Sequence, residues 1–175
     1  MRLKSALLVV GVAGILTAQQ NVPGSMAEQH MGAMAGTGHR VGVNQRGDEA
    51  MGFSHKKTTH HFLLAKDGGS IQVEAKDAGD IESRDQIRMH LGHIAKMFAV
   101  GNFDAPMLIH EQVPPGVAVM KQKSSQIGYR FENTTRGGRV RIFTKNPAAL
   151  RAIHEFLRFQ IQDHGTGDST EIGRG

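Results

Sequence analysis

The chain has 175 residues, with 21 Lys+Arg, 16 Asp+Glu, 10 His and no Cys. That length fits one compact domain, and the lack of Cys excludes disulfides, Cys-based zinc sites, iron–sulfur clusters, thiol catalysis and a lipid anchor on cysteine. With no Trp, one Tyr and 8 Phe, the core must be mostly aliphatic.

Residues 1–18, MRLKSALLVVGVAGILTA, place Arg2 and Lys4 before an uncharged apolar run that ends at Gln19-Gln20. Basic start, apolar middle and polar exit, in that order, describe a secretory signal peptide. The run is shorter than the ~20 residues that span a bilayer, so no stable membrane span is expected after cleavage. Export to the periplasm or medium is the expectation. Losing Arg2 and Lys4 lowers the net charge from +5 to +3. A weakly basic chain without interleaved aromatic and basic residues is a poor nucleic-acid binder.

Residues 19–52 are rich in Gly, Met, Gln and Ala and show no apolar period. They read as a flexible Met/His/Gly-rich arm carrying Met26, His30, Met31, Met34 and His39. A single α+β domain is expected over 53–168. The Gly-rich end, 165–175, reads as loose, with 169–175 disordered.

Within the domain, Thr58 to Ala65 is strand-like, and Lys66-Asp67-Gly68-Gly69 reads as a turn whose glycines permit positive φ. Ile71, Val73 and Ala75 alternate onto one face of a second strand. Ile87, Leu91, Ile94 and Phe98 follow helical spacing, with Asp80 or Ser83 as cap and Gly101 as stop. In the connector, 102–126, Met107-Leu108-Ile109-His110 reads as a short strand and 117–123 as a short helix. Ile127, Tyr129 and Phe131 alternate before a turn at 134–138, and Val140, Ile142 and Thr144 alternate after it. Asn146-Pro147 then opens a helix with the stripe Leu150, Ile153, Leu157 and Ile161.

The two glycine pairs lie 69 residues apart, and the helices align at an offset of 63. The pattern is a ββα pseudo-repeat. The expected product is two ββα units forming an antiparallel sheet with two helices packed on one face.

Seven His fall within 60–164. His60 and His61 are neighbours on a strand, so they point to opposite faces. His90 and His93 are i and i+3 on a helix, close enough to chelate one ion. His110 sits beside Glu111 before the Pro-Pro break. His154 lies at the edge of the second helix's stripe. His164 ends that helix, where a cation suits the dipole. Each has a plain alternative as a packed or hydrogen-bonded histidine. Imidazole is the commonest ligand for zinc and copper, and Met thioethers (Met89, Met97, Met107, Met120) add affinity for Cu(I). His154-Glu155-Phe156-Leu157-Arg158 is not a metalloprotease motif, and no P-loop, haem-attachment motif or nucleophile elbow occurs. Arg130, Arg136, Arg139 and Arg141 read as a solvated sheet face or an anion-binding one.

The strings Thr58-Thr59-His60-His61-Phe62, Arg84 to Leu91, and His154-Glu155-Phe156-Leu157-Arg158-Phe159-Gln160-Ile161 with Asp163-His164-Gly165-Thr166-Gly167-Asp168 resemble a family of small exported bacterial proteins of unassigned function. The resemblance covers about 47–168. It implies location and domain extent and transfers no catalytic role.

The expected function is an exported, His-rich protein that binds copper or zinc through His60 or His61, His90, His93 and His110, the arm capturing or passing on metal. The alternatives are a small exported enzyme with a His-lined pocket acting on a small molecule, and a binding or structural module whose histidines only pack.

Overall fold

The computed structural model describes residues 26–173, with side chains from 38 onward. The expected leader, 1–18, lies outside the described residues. In chain order the elements are α1 (Met26–Met51), β1 (Thr58–Ala65), β2 (Gly68–Ala75), α2 (Ile81–Ala99), α3 (Asp104–His110), α4 (Val117–Gln122), β3 (Ile127–Asn133), β4 (Gly137–Thr144) and α5 (Pro147–His164). The four strands form one antiparallel sheet in the order β1-β2-β4-β3. The α+β arrangement expected from the pseudo-repeat is present, and the register shows why. Ile71 pairs with Val140, its own counterpart 69 residues on. A local two-fold therefore runs between the central strands, and each hairpin lies outside its half of the sheet.

The period-2 pattern sets the faces. Phe62, Ile71, Val73, Val140 and Ile142 are buried beneath the helices. The opposite face carries Gln72, Arg139, Arg141 and Arg130. Its arginines are matched by carboxylates: Arg130 and Arg139 with Glu132, Arg136 with Glu74 and Arg141 with Asp67. This is the solvated, ion-paired face of the two readings.

Local chemistry fixes both long helices. The Asp80 carboxylate accepts from Ser83 N at 3.0 Å and caps α2, which buries Ile87, Leu91, Ile94 and Phe98. The Asn146 side chain accepts from Ala148 N and Ala149 N and caps α5, with Pro147 in its first turn. α5 buries Ile153, Leu157 and Ile161, while Leu150 is half-buried. Among the described residues no helix is long and apolar enough to cross a membrane.

Four sequence expectations are corrected. The Gly68-Gly69 pair starts β2 instead of forming the turn; Gly68 has the expected positive φ, 148°, and close approach of the neighbouring strand also requires glycine. A Cβ on Gly68 would stand 2.1 Å from the Ile142 carbonyl oxygen, and one on its counterpart Gly137 would stand 2.1 Å from that of Val73. Residues 107–110 belong to α3, where Asn102 Oδ1 accepts from Asp104 N at 2.9 Å and Pro106 falls in the first turn.

The arm reading also fails over 38–52. This stretch is helical, Val43 is 0 % exposed, and Arg46 donates to the Ile109 carbonyl at 2.7 Å and pairs with Glu111. One buried valine and a set of polar clasps hold it, so no apolar period announces it. Residues 168–173 are likewise docked, while 174–175 lie outside the described residues. Asp168 accepts from Phe62 N at 2.9 Å, Arg158 donates to Thr170 O and Gly173 N bonds Leu64 O. The segment clips the free edge of β1.

Candidate functional site

Between α2 and α5, over the sheet and against α3, lies a cavity of about 70 Å³. Its walls are apolar: Phe62, Ile71 and Val73 from the sheet, Leu91, Ile94 and Phe98 from α2, Ile109 and Pro106 from α3, and Phe156 from α5. Set into them are Met51, Gln160 and four imidazoles, His60, His90, His110 and His164.

Each imidazole arrives by a local rule. Thr58, His60, Phe62 and Leu64 share the core face of β1, so His60 points inward and His61 outward. His90 is on the face of α2 that carries Ile87 and Ile94. Phe156, Gln160 and His164 follow one another at four-residue spacing along α5. The His60 ring lies parallel to that of His164, with centroids 6.1 Å apart, and is stacked on Phe53 at 6.2 Å. His164 also stacks on Phe62 at 5.4 Å and meets His110 edge-on at 5.0 Å. His90 stands edge-on to Phe53 at 5.7 Å. His60 Nε2 is 3.4 Å from Met51 Sδ.

Burial sets the charge state. It pushes His60 down to about 4, helped by the neighbouring His90 and opposed by Asp48. It pushes His90 to about 4, with His93 adding to the effect. His164 falls to about 3, again through burial first and then His110 and His60. All three are uncharged imidazoles at neutral pH. The helix-dipole role expected of His164 is thereby replaced, since that role needs a cation. Among the described residues, no nitrogen or oxygen bonds the ring nitrogens of these three.

His110 is held differently. It is 2 % exposed, Nδ1 donates to Asp163 Oδ2 at 2.5 Å and Nε2 lies 3.0 Å from Gln160 Oε1. Asp163 also accepts from His39 Nε2 at 2.8 Å, which ties α1 to α5. Burial alone would raise Asp163, yet the bonds from His110 and His39 hold its carboxyl below the usual range. The Gln160 Nε2 amide is buried without a partner.

Of the five histidines expected to hold metal, the structure brings His60, His90 and His110 to one cavity. His61 is on the outer face, its Nδ1 bonded to Asp168 at 2.9 Å, and His93 is exposed on α2. Helical pairing of His90 with His93 fails because the cavity takes only one side of that turn. His110 has both ring nitrogens engaged. Among the described residues, no group of three or more His, Cys, Asp or Glu stands in an arrangement that could hold a metal ion. The expected thioethers are elsewhere: Met120 is core and Met89 is 74 % exposed.

Met51, Gln160, Asp163 and His164 were missed. The four-residue spacing Phe156–Gln160–His164 is the signal that marks Gln160 and His164, a polar continuation of the buried face of α5; it does not reach Met51 or Asp163. His154 has a structural role, its Nε2 lying between the Ala65 and Gly68 carbonyls at the β1–β2 turn.

His60 and His164 also face a second, polar cleft lined by Thr58, Thr59, His61 and Thr166. They therefore stand between that cleft and the apolar cavity. Compared with known protein families, characterised proteins and solved structures, the chain has no significant match.

Proposed function

We propose that the chain is an exported copper(I)-binding protein, with the ion held by Met51 Sδ and His60 Nε2 and flanked by His90 and His164. The observation that carries this reading is the His60 imidazole 3.4 Å from the Met51 thioether, in an apolar cavity that two further uncharged imidazoles, His90 and His164, also line. A neutral imidazole and a thioether facing each other offer two soft donors to one ion.

The donor set favours copper(I) over zinc. Thioether and neutral imidazole are the ligands that suit a soft monovalent ion, and the trio of His or carboxylate donors that zinc prefers is not assembled. The spacing agrees. Bonds of ~2.0 Å to nitrogen and ~2.3 Å to sulfur, at a tetrahedral angle, put the two donors about 3.5 Å apart, against 3.4 Å between His60 Nε2 and Met51 Sδ. The polar cleft outside His60 and His164 offers an entry path.

The test is competition of the full chain with a chromophoric copper(I) chelator at pH 7.5 under reducing conditions. His60→Ala and Met51→Leu each weaken binding at least tenfold, and His93→Ala leaves it unchanged. If His60→Ala and Met51→Leu both titrate like the parent, copper does not bind in this cavity and the reading is wrong.

A further inference from the structure

The sheet ends on β1 at one side and on β3 at the other, and the chain covers only the first. Residues 168–173 lie along β1, whereas among the described residues no strand pairs with the outer side of β3. Thr134 N donates to Gly137 O at 3.1 Å, and ladder bonds alternate along an antiparallel pair. Glu132, Arg130 and Gly128 are therefore the residues bonded to β4. The N–H and C=O groups of Tyr129, Phe131 and Asn133 point the other way, to the open edge. The strand pairs without a bulge and holds no proline, so it lacks two of the devices that protect an edge. We infer that β3 is a dimerisation edge. It pairs antiparallel with β3 of a second copy of this chain, across a two-fold axis at Phe131, and joins the two four-stranded sheets into one.

Charge selects both the partner and the register. An axis at Phe131 sets Phe131 opposite the partner's Phe131 and Tyr129 opposite the partner's Asn133, so the outward backbone groups meet one another. On the solvent face the same axis sets Arg130 opposite the partner's Glu132 and Glu132 opposite the partner's Arg130, two favourable pairs per dimer. Moving the axis to Arg130 or to Glu132 brings like charges face to face, and moving it to Tyr129 leaves Arg130 opposite a glycine. The helices fit the same arrangement. α2 lies over β4 and β3, so the two copies of α2 stand two strand spacings apart, ~9.6 Å, within the roughly 8–10 Å at which helices pack. The α2 residues on that side are Gly92, Ala95 and Ala99, which line a groove beside Tyr129 and Phe131, and small side chains suit that approach. His90 and the apolar cavity lie on the other side of α2, so the dimer is independent of the copper reading. The outer edges of the joined sheet are the clipped β1 strands, so the pairing closes at two copies.

Sedimentation and amide hydrogen exchange of the full chain test the edge. The chain sediments as a dimer, and the amides of Tyr129, Phe131 and Asn133 are protected in it. Arg130 is exposed, so Arg130→Glu leaves the circular dichroism spectrum unchanged, but it sets a like charge against the partner's Glu132 at both ends of the pairing. It weakens the dimer at least tenfold. The Tyr129, Phe131 and Asn133 amides then exchange at least tenfold faster, while those of Gly128 and Glu132, bonded to β4, keep their protection. Gly92→Arg puts a long side chain where the two α2 helices meet and weakens the dimer as much, although within one chain its Cβ meets only the Phe131 ring, at 3.9 Å. A chain that is monomeric at every concentration leaves the edge to a strand of another protein and overturns the proposal. So does a dimer in which the Tyr129, Phe131 and Asn133 amides exchange freely, or one that neither substitution weakens.

Discussion

Acidifying the metal-free protein from pH 7.5 to pH 5 destabilises it through the cavity imidazoles. An unfolded histidine titrates near 6.5, whereas His60 and His90 in the fold titrate near 4 and His164 near 3. Below pH 6.5 the unfolded chain takes up protons that the folded chain refuses. Stability therefore rises with pH across this window and falls as pH drops through it. At a full proton difference the slope is about 1.4 kcal/mol per pH unit, so each imidazole costs about 2 kcal/mol between pH 7.5 and 5. The three together therefore cost several kcal/mol, at most about 6 kcal/mol. The depressed carboxyls of Asp163 and Asp168 act in the same sense at lower pH, as they protonate below the ordinary carboxylate value, and are separable. Urea unfolding at half-unit steps from pH 5 to 8 measures the profile. His164→Phe keeps a ring against Phe62 and removes one refused proton, so its profile is flatter and the variant gains on the parent at pH 5. A parent profile flat from pH 7.5 to 5, or a His164→Phe profile parallel to it, refutes the neutral-imidazole cluster.

The other predictions concern packing, docking and ligand binding. Leu157 is 0 % exposed and lies under Gly69, so Leu157→Ala lowers unfolding free energy by about 2–5 kcal/mol in denaturant titration; a change under about half a kcal/mol places it on the surface. Asp168→Ala strips Phe62 N and the His61 ring of their acceptor and costs about 1.5–3 kcal/mol, with faster hydrogen exchange along β1. Val43→Asp loosens α1, exposing Arg46 and His39 to proteolysis without melting the sheet; unchanged cleavage means α1 is not docked. Copper(I) affinity holds down to about pH 5 and falls as pH approaches 4, because the competing protons bind His60 near 4. A fall centred near 6.5, the value of a free imidazole, points to surface histidines instead.

What the sequence reveals here is what short-range physics controls. Ile71–Val73–Ala75 and Val140–Ile142–Thr144 alternate because one face of each strand is buried, and the caps at Asp80 and Asn146 act within three residues of themselves. The cavity depends on longer reach. His164 meets His60 only because α5 lies across β1, and the same packing turns a residue placed for a helix dipole into a neutral ring. α1 escapes pattern reading because its hold is Val43 plus the Arg46, His39 and Asp48 bonds, none of them periodic. The four residues 107–110 are too few to tell a strand from a helix by period. Of the candidate ligands, His90 is legible beside the apolar stripe of α2, while alternation puts His60 and His61 on opposite faces without choosing between them, and the strand expected at His110 is the helix α3. His61 and His93 were separated from His60 and His90 only when the sheet and α2 chose their buried sides.

The most direct test of the copper site is X-ray absorption of the full chain loaded with one equivalent of copper(I), beside the Met51→Leu variant loaded likewise. The account predicts nitrogen scatterers at ~2.0 Å and one sulfur at ~2.3 Å in the parent, with the sulfur lost and the nitrogens kept in Met51→Leu. A parent spectrum without sulfur, or a sulfur that persists undiminished in Met51→Leu, contradicts it.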